Sequence, residues 1–213
     1  MYHLRVRESG DRMIGYGEDG LTLWALTQRL DDLLRKLDDP GRASEILIFY
    51  RPSFGRAGGT GSAPFGEFDA ILMTGSKTFL IESKWDGSPL VGNQIVLAEH
   101  QILRHRIFRW ILVHWAQQRP IDWDSFRREN EKAFRVDFGE KPMAPTGSLL
   151  ARNLEYTLHR LTNRGMRPPE DVVLFFHREK GRVPGSIASP ANDFRLVAIS
   201  FATLEKSGFF AMS

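Results

Sequence analysis

Two apolar runs separated by three turn-forming residues constrain this chain more than any other feature in it. Residues 65–73 (FGEFDAILM) and 77–85 (KTFLIESKW) are rich in aromatic and branched side chains, and Thr74, Gly75 and Ser76 lie between them. Strand-prone runs flanking a short turn of this composition predict a β-hairpin. Successive side chains of a strand point to opposite faces, so Leu80, Glu82 and Lys84 share one side while Phe79, Ile81, Ser83 and Trp85 share the other. A glutamate and a lysine thus stand on one face of a run otherwise suited to a core. Burying such charges is costly unless they pair or bind something.

Asp69 precedes Glu82 by a gap of twelve residues, and of the seven lysines only Lys84 has an acid two residues before it. An ordinary same-face ion pair between Glu82 and Lys84, contributing about 0–1 kcal/mol, is the plain explanation. Two neighbouring strands that present an acid and an acid-x-lysine at matching places also make a site for a divalent cation and a phosphate. Magnesium prefers carboxylate, carbonyl and water oxygens in near-octahedral geometry. Two acids and one backbone carbonyl, here that of Ser83, leave positions for water and a phosphate oxygen.

On Gly66-Glu67-Phe68-Asp69, the twelve-residue gap and Glu82-Ser83-Lys84, the chain resembles the PD-(D/E)xK nucleases of the restriction-endonuclease-like fold. It has Phe68 where the family's name places a proline. The resemblance implies that Asp69 and Glu82 bind Mg2+, with Mn2+ able to substitute, and that Lys84 orients or activates the attacking water. It also brings in an acid from the first helix. Glu18 lies at the start of a run with apolar residues at Leu23, Leu26, Leu30, Leu33, Leu34 and Leu37. There it either contacts the metal or, with Asp19, complements the positive end of the helix dipole. Glu45, ahead of the next strand, is a weaker substitute.

Residues 91–117 give the longest helical signal, as one helix or two, with His100, Arg104, His105, Arg106 and Arg109 crowding its middle. A charged helix face of this kind is expected to be solvated. His100 and His105 are five apart and form no zinc pattern, and Gln94 reads as a surface amide. Residues 123–135 form a helical insertion, and Thr146 is placed to cap a helix through Leu149, Leu150, Leu154, Leu158 and Leu161. Residues 171–177 (DVVLFFH) and 194–201 (FRLVAISF) read as buried strands. Residues 51–64 form a Gly/Ser/Pro-rich loop bordering the hairpin, where Arg56 is a candidate phosphate contact. Lys180 and Arg182 add a basic turn after the strand ending at His177.

With residues 44–50 as the strand after the first helix, the expected fold is α/β: a restriction-endonuclease-like core with a central mixed β-sheet flanked by helices, in the order α-β-β-β-α-β with a helical insertion. At 213 residues, 42% of them hydrophobic, the whole chain 1–213 is expected to be a single domain. No cysteine is present, the polar residues 1–12 lack a secretory signal, and no stretch is apolar for long enough to span a membrane. A cytoplasmic location is the expectation. The net charge of +3 permits a nucleic-acid partner without requiring one.

The expected activity is therefore Mg2+-dependent hydrolysis of phosphodiester bonds in DNA, an endonuclease of restriction, defence or repair. The choice of DNA over RNA comes from the resemblance alone. The catalytic set is Asp69, Glu82 and Lys84 with Glu18 as a fourth member, and the metal ligands are Asp69, Glu82 and the Ser83 carbonyl. Target choice falls to loops, a homodimer or a partner protein. The alternative is a non-cleaving nucleic-acid-binding or scaffold module on the same fold.

Overall fold

The computed structural model describes residues 13–39, 45–54, 66–139, 141–191, 193–204 and 209–212. Arg56 and most of the glycine-rich loop lie outside the described residues, as do residues 1–12. The elements run β1 (Met13–Tyr16), α1 (Gly17–Thr27), α2 (Leu30–Lys36), β2 (Leu47–Tyr50), β3 (Ser53–Phe54), β4 (Gly66–Glu67), β5 (Ala70–Met73), β6 (Thr78–Trp85), β7 (Leu90–Val91), β8 (Gln94–Ile95), α3 (Glu99–Gln118), α4 (Trp123–Phe138), α5 (Leu149–Asn163), β9 (Pro169–Arg178), β10 (Ser186–Ile187), β11 (Arg195–Phe201) and β12 (Phe209–Met212).

The expected hairpin is β5–β6, antiparallel with Ala70 opposite Ile81 and Met73 opposite Thr78. It lies within a five-stranded mixed sheet, ordered β11-β9-β6-β5-β2, in which β11, β9 and β6 pair in parallel and β5 runs antiparallel to both of its neighbours, β6 and β2. A parallel partner for β6 needs a long crossover, and α3, α4 and α5 supply it. The chain is thus α/β with five helices around a mixed sheet.

Alternation along the strands sorts the core into layers. Leu80, Ile71 and Met73 pack beneath α3, α4 and α5 with Phe108, Trp115, Phe134 and Leu158. Phe79, Ile81, Ala70, Leu72, Val172, Leu174 and Phe176 face α1 and α2, with Trp24, Leu26 and Leu33. A third cluster gathers Val173 and Phe175 with Ile95, Ile102 and Phe194. Both faces of the hairpin are covered, which is why every residue of β6 from Thr78 to Lys84 is buried.

The structure redraws several boundaries. The first helix is two, broken at Gln28 and Arg29. The strand expected over 65–73 is interrupted at Phe68 and Asp69, leaving β4 paired with β3 and β5 paired with β2 and β6. The helix expected from residue 91 begins at Glu99, because Gly92, at φ +60, turns the preceding segment back as the pair β7–β8. Ser148, not Thr146, caps α5, its hydroxyl accepting from the Ala151 N–H at 3.1 Å. The α4 insertion forms as expected, capped by Asp122, whose carboxylate accepts from the Ser125 N–H at 2.8 Å.

Candidate active site

The interruption at Phe68 and Asp69 positions the site. Extending the β5–β6 register by one residue puts Asp69 across from Glu82. Asp69 Oδ2 accepts the Ser83 N–H at 2.6 Å, so the carboxylate completes the ladder with a side chain where the strand itself stops. The backbone around it is held by Arg51, whose N–H donates to the Asp69 carbonyl at 3.1 Å. The Arg51 guanidinium joins Asp19 of α1 to Glu67 of β4. One arginine therefore ties the start of α1 to the strand that delivers Asp69.

Glu82 and Lys84 point to the same face, as alternation requires, and both are buried, at 2% and 8% exposure. Lys84 Nζ donates to Glu82 Oε1 at 2.9 Å and to the Ser83 carbonyl at 2.7 Å. It also lies 3.7 Å from Glu18 Oε1, in the first turn of α1. Opposite it, α3 closes over Glu82: Arg104 donates to Oε2 at 2.6 Å and Gln101 donates to Oε1. Thr22 of α1 bonds the Ser83 hydroxyl at 2.7 Å, on the other face of β6. Glu18, Asp69, Glu82 and Lys84, the four side chains expected to act together, thus converge from α1, the start of β5 and β6.

Expectation and structure part company on α3. Arg104 and His105, read from sequence as part of a solvated basic face, are buried. The reason is electrostatic: the face opposite them carries Glu82 and Asp171, which need partners inside the fold. His105 Nδ1 bonds Asp171 Oδ1 at 2.9 Å, and Arg109 donates to the other oxygen of Asp171. The imidazole lies between Phe68 and Phe194, with Nε2 3.9 Å from Glu82 Oε2. His105 and the half-buried Arg109 thus both hold Asp171, while the buried His105 Nε2 has no hydrogen-bond partner among the described residues and faces Glu82. Gln94, by contrast, is an exposed amide bonded to the Ser186 hydroxyl at 3.0 Å, as expected. Glu45 stays apart from the cluster, its carbonyl accepting from Arg164.

Electrostatics separate the three acids. Burial pushes Glu18 up to about 7, Lys84 opposing it and Asp69 and Glu82 adding to it. Burial and the neighbouring Glu82 raise Asp69 to about 6, against the lowering pull of the Ser83 N–H. Burial works against Glu82 as well, but His105, Lys84 and Arg104 outweigh it and hold the carboxyl at about 2. Burial lowers Lys84, and Glu82 and Glu18 more than reverse it, so its ammonium is held above the usual lysine range.

These shifts make the stability of the metal-free protein depend on pH. Between their ordinary and raised values, Glu18 and Asp69 bind protons in the folded state that the unfolded chain has lost, so stability falls as pH rises from about 4 to about 7. Glu82 has the opposite sign, its contribution being present above the ordinary glutamate value of 4.5 and lost as pH falls towards about 2. Urea unfolding in chelator is expected to show that decline between pH 4 and 7, with Glu18→Gln flattening much of it. A wild-type profile that rises over this interval would contradict the charge assignments.

The donor set is chemically suited to Mg2+: three carboxylates and a backbone carbonyl, all hard oxygen ligands, with two of the acids raised by burial and by their neighbouring carboxylates. Its arrangement is that of a site neutralised from within. Lys84 takes both Glu82 Oε1 and the Ser83 carbonyl, and Arg104 takes Glu82 Oε2. Among the described residues, no three acids, histidines or cysteines are grouped as they stand so as to hold a metal ion. Among the same residues, no helix is long and apolar enough to cross a membrane. Compared with known proteins, the chain matches no family model, no curated protein and no solved structure.

Proposed function

We propose that this chain is a Mg2+-dependent nuclease with a restriction-endonuclease-like core, hydrolysing phosphodiester bonds in DNA. The reading is carried by one observation: Glu18, Asp69, Glu82 and Lys84 meet at one end of the central hairpin, an oxygen-rich cluster built around a single ammonium. The order of helices and strands, with the mixed sheet, supports it.

Asp69, Glu82, the Ser83 carbonyl and, from α1, Glu18 would hold the cation, with Mn2+ as a substitute. When bound, it supplies Lewis-acid stabilisation of charge on the phosphate and lowers the pKa of an attacking water. Lys84, freed from the Ser83 carbonyl and Glu82, sets its ammonium against the negative charge that develops as the phosphodiester is attacked. Arg104 and Gln101 fix the rotamer of Glu82, and Arg51 fixes the loop of Asp69. These are positioning roles.

The saturation of Glu82 by Lys84, Gln101 and Arg104 favours a second reading, in which the same fold binds nucleic acid without cutting it. Incubating the purified protein with linear, circular and single-stranded DNA and with RNA, in Mg2+, Mn2+ or chelator, separates the two. The nuclease reading expects cleavage of DNA that chelator abolishes. Binding with no cleavage on any substrate would leave the second reading, and cleavage in chelator would sink the metal mechanism.

A further inference from the structure

We propose that the turn carrying Arg178, Lys180 and Arg182 is a docking groove for the phosphodiester backbone of a nucleic acid. The placement of this turn is built into the fold. Lys84 is in register with Phe175 on the adjoining parallel strand, and neighbouring strands lie about 4.8 Å apart. Two residues beyond Lys84, Asp86 accepts the Arg178 N–H at 2.9 Å, and its Oδ2 lies 3.7 Å from Arg178 Nε. The Gly181 N–H donates to the Arg178 carbonyl at 2.7 Å and closes the turn. A side chain at Gly181 would meet that carbonyl at 3.0 Å and Asp86 Oδ1 at 3.2 Å, so the turn would have to give by a few tenths of an ångström to hold one. The end of the strand that bears Lys84 therefore anchors the basic turn directly.

The groove itself is a cavity of about 370 Å³ lined by Asp86, Leu90, Phe175, Arg178, Lys180, Gly181 and Arg182. Its three cations are exposed. Lys180 and Arg182 make no ion pair among the described residues, whereas Arg51, Arg127 and Arg195 are each held by acids. Glu179, the acid of the turn, lines a different cavity beside Trp24 and Phe201. Lys180 and Arg182, exposed and without an ion pair among the described residues, match a repeating polyanion, whose phosphates are neutralised by lysine and arginine side chains with release of counterions.

The choice of ligand rests on the nuclease reading, so the test keeps binding and cleavage apart. In an Asp69→Ala background with chelator, the affinity for a short fluorescein-labelled DNA duplex is followed by anisotropy across a salt series. K180A/R182A is expected to flatten the slope of log affinity against log salt by about two, each phosphate no longer neutralised accounting for about 0.9. The remote pair R128A/K132A on α4 should leave it unchanged. An unaltered slope in K180A/R182A, or no duplex binding by the parent, would overturn the groove. Displacement of the duplex by inorganic phosphate at equal phosphate concentration would also overturn it, in favour of a small-anion site. Turn-dependent binding without Mg2+-dependent cleavage by the wild type would uphold the groove and remove the nuclease reading. An unaltered slope alongside cleavage by the wild type would do the reverse.

Discussion

Glu82→Ala is expected to lower the free energy of unfolding by about 3–5 kcal/mol, the cost of breaking a buried ion network from its centre. Glu82 accepts from Lys84, Gln101 and Arg104, and among the described residues it is the only acid paired with the buried Arg104. Its removal leaves that guanidinium in the interior beside the Phe68 ring with no carboxylate. Lys84 is less exposed to the change, because Glu18 remains 3.7 Å away. Urea unfolding at neutral pH measures the loss as a lower midpoint at constant slope. Adding Arg104→Met to Glu82→Ala is expected to recover part of it, since the double variant leaves no orphan charge. A loss under about 1 kcal/mol for Glu82→Ala would mean that the pairing is worth no more than a surface contact.

Lys84→Met should reduce the cleavage rate by about 10²–10³-fold, the scale of removing one preorganised charge-stabilising donor. Methionine keeps most of the side-chain volume, and Glu82 retains Arg104 and Gln101, so the fold should survive with a near-normal far-ultraviolet spectrum. Loss of the ammonium also removes the chief influence that lowers Glu18, moving that carboxyl further up. In chelator, the part of the stability decline that Glu18 contributes should therefore move to higher pH in Lys84→Met. Full activity in Lys84→Met would show that the buried lysine is a structural counter-ion only.

What could be read from the sequence followed from short-range periodicity. The alternation of residues 77–85 determines which side chains of β6 face α3 and which face α1, and a one-residue slip would have exchanged them. Glu82 and Lys84 were therefore legible as neighbours, and Asp69 as their counterpart across a three-residue turn. Glu18 was legible as the first turn of a helix, though its 3.7 Å approach to Lys84 depends on how α1 packs on the sheet. The hidden part lies in contacts between residues far apart in the chain. Arg104 and His105 sit in a run of basic residues that looks solvated until Glu82, 22 residues before Arg104, and Asp171, 66 residues after His105, are brought beneath it. Asp171 itself opens an apolar strand and carries no local mark of its partners. The β1–β12 pair, which joins Met13 to Met212, has no local signal either. Arg51 looked like the edge of a glycine-rich loop, and only the fold gives it Asp19 and Glu67 as partners.

The most direct test places wild type and Asp69→Ala side by side on supercoiled plasmid DNA with Mg2+, followed over time on a gel. Among the described residues the Asp69 carboxylate accepts one hydrogen bond, from the Ser83 N–H, and its loss should leave a folded protein. A metal-dependent nuclease built on this cluster predicts conversion of plasmid by the wild type, none when chelator replaces Mg2+, and background only for Asp69→Ala. Equal conversion by both proteins, or conversion that persists in chelator, would contradict it.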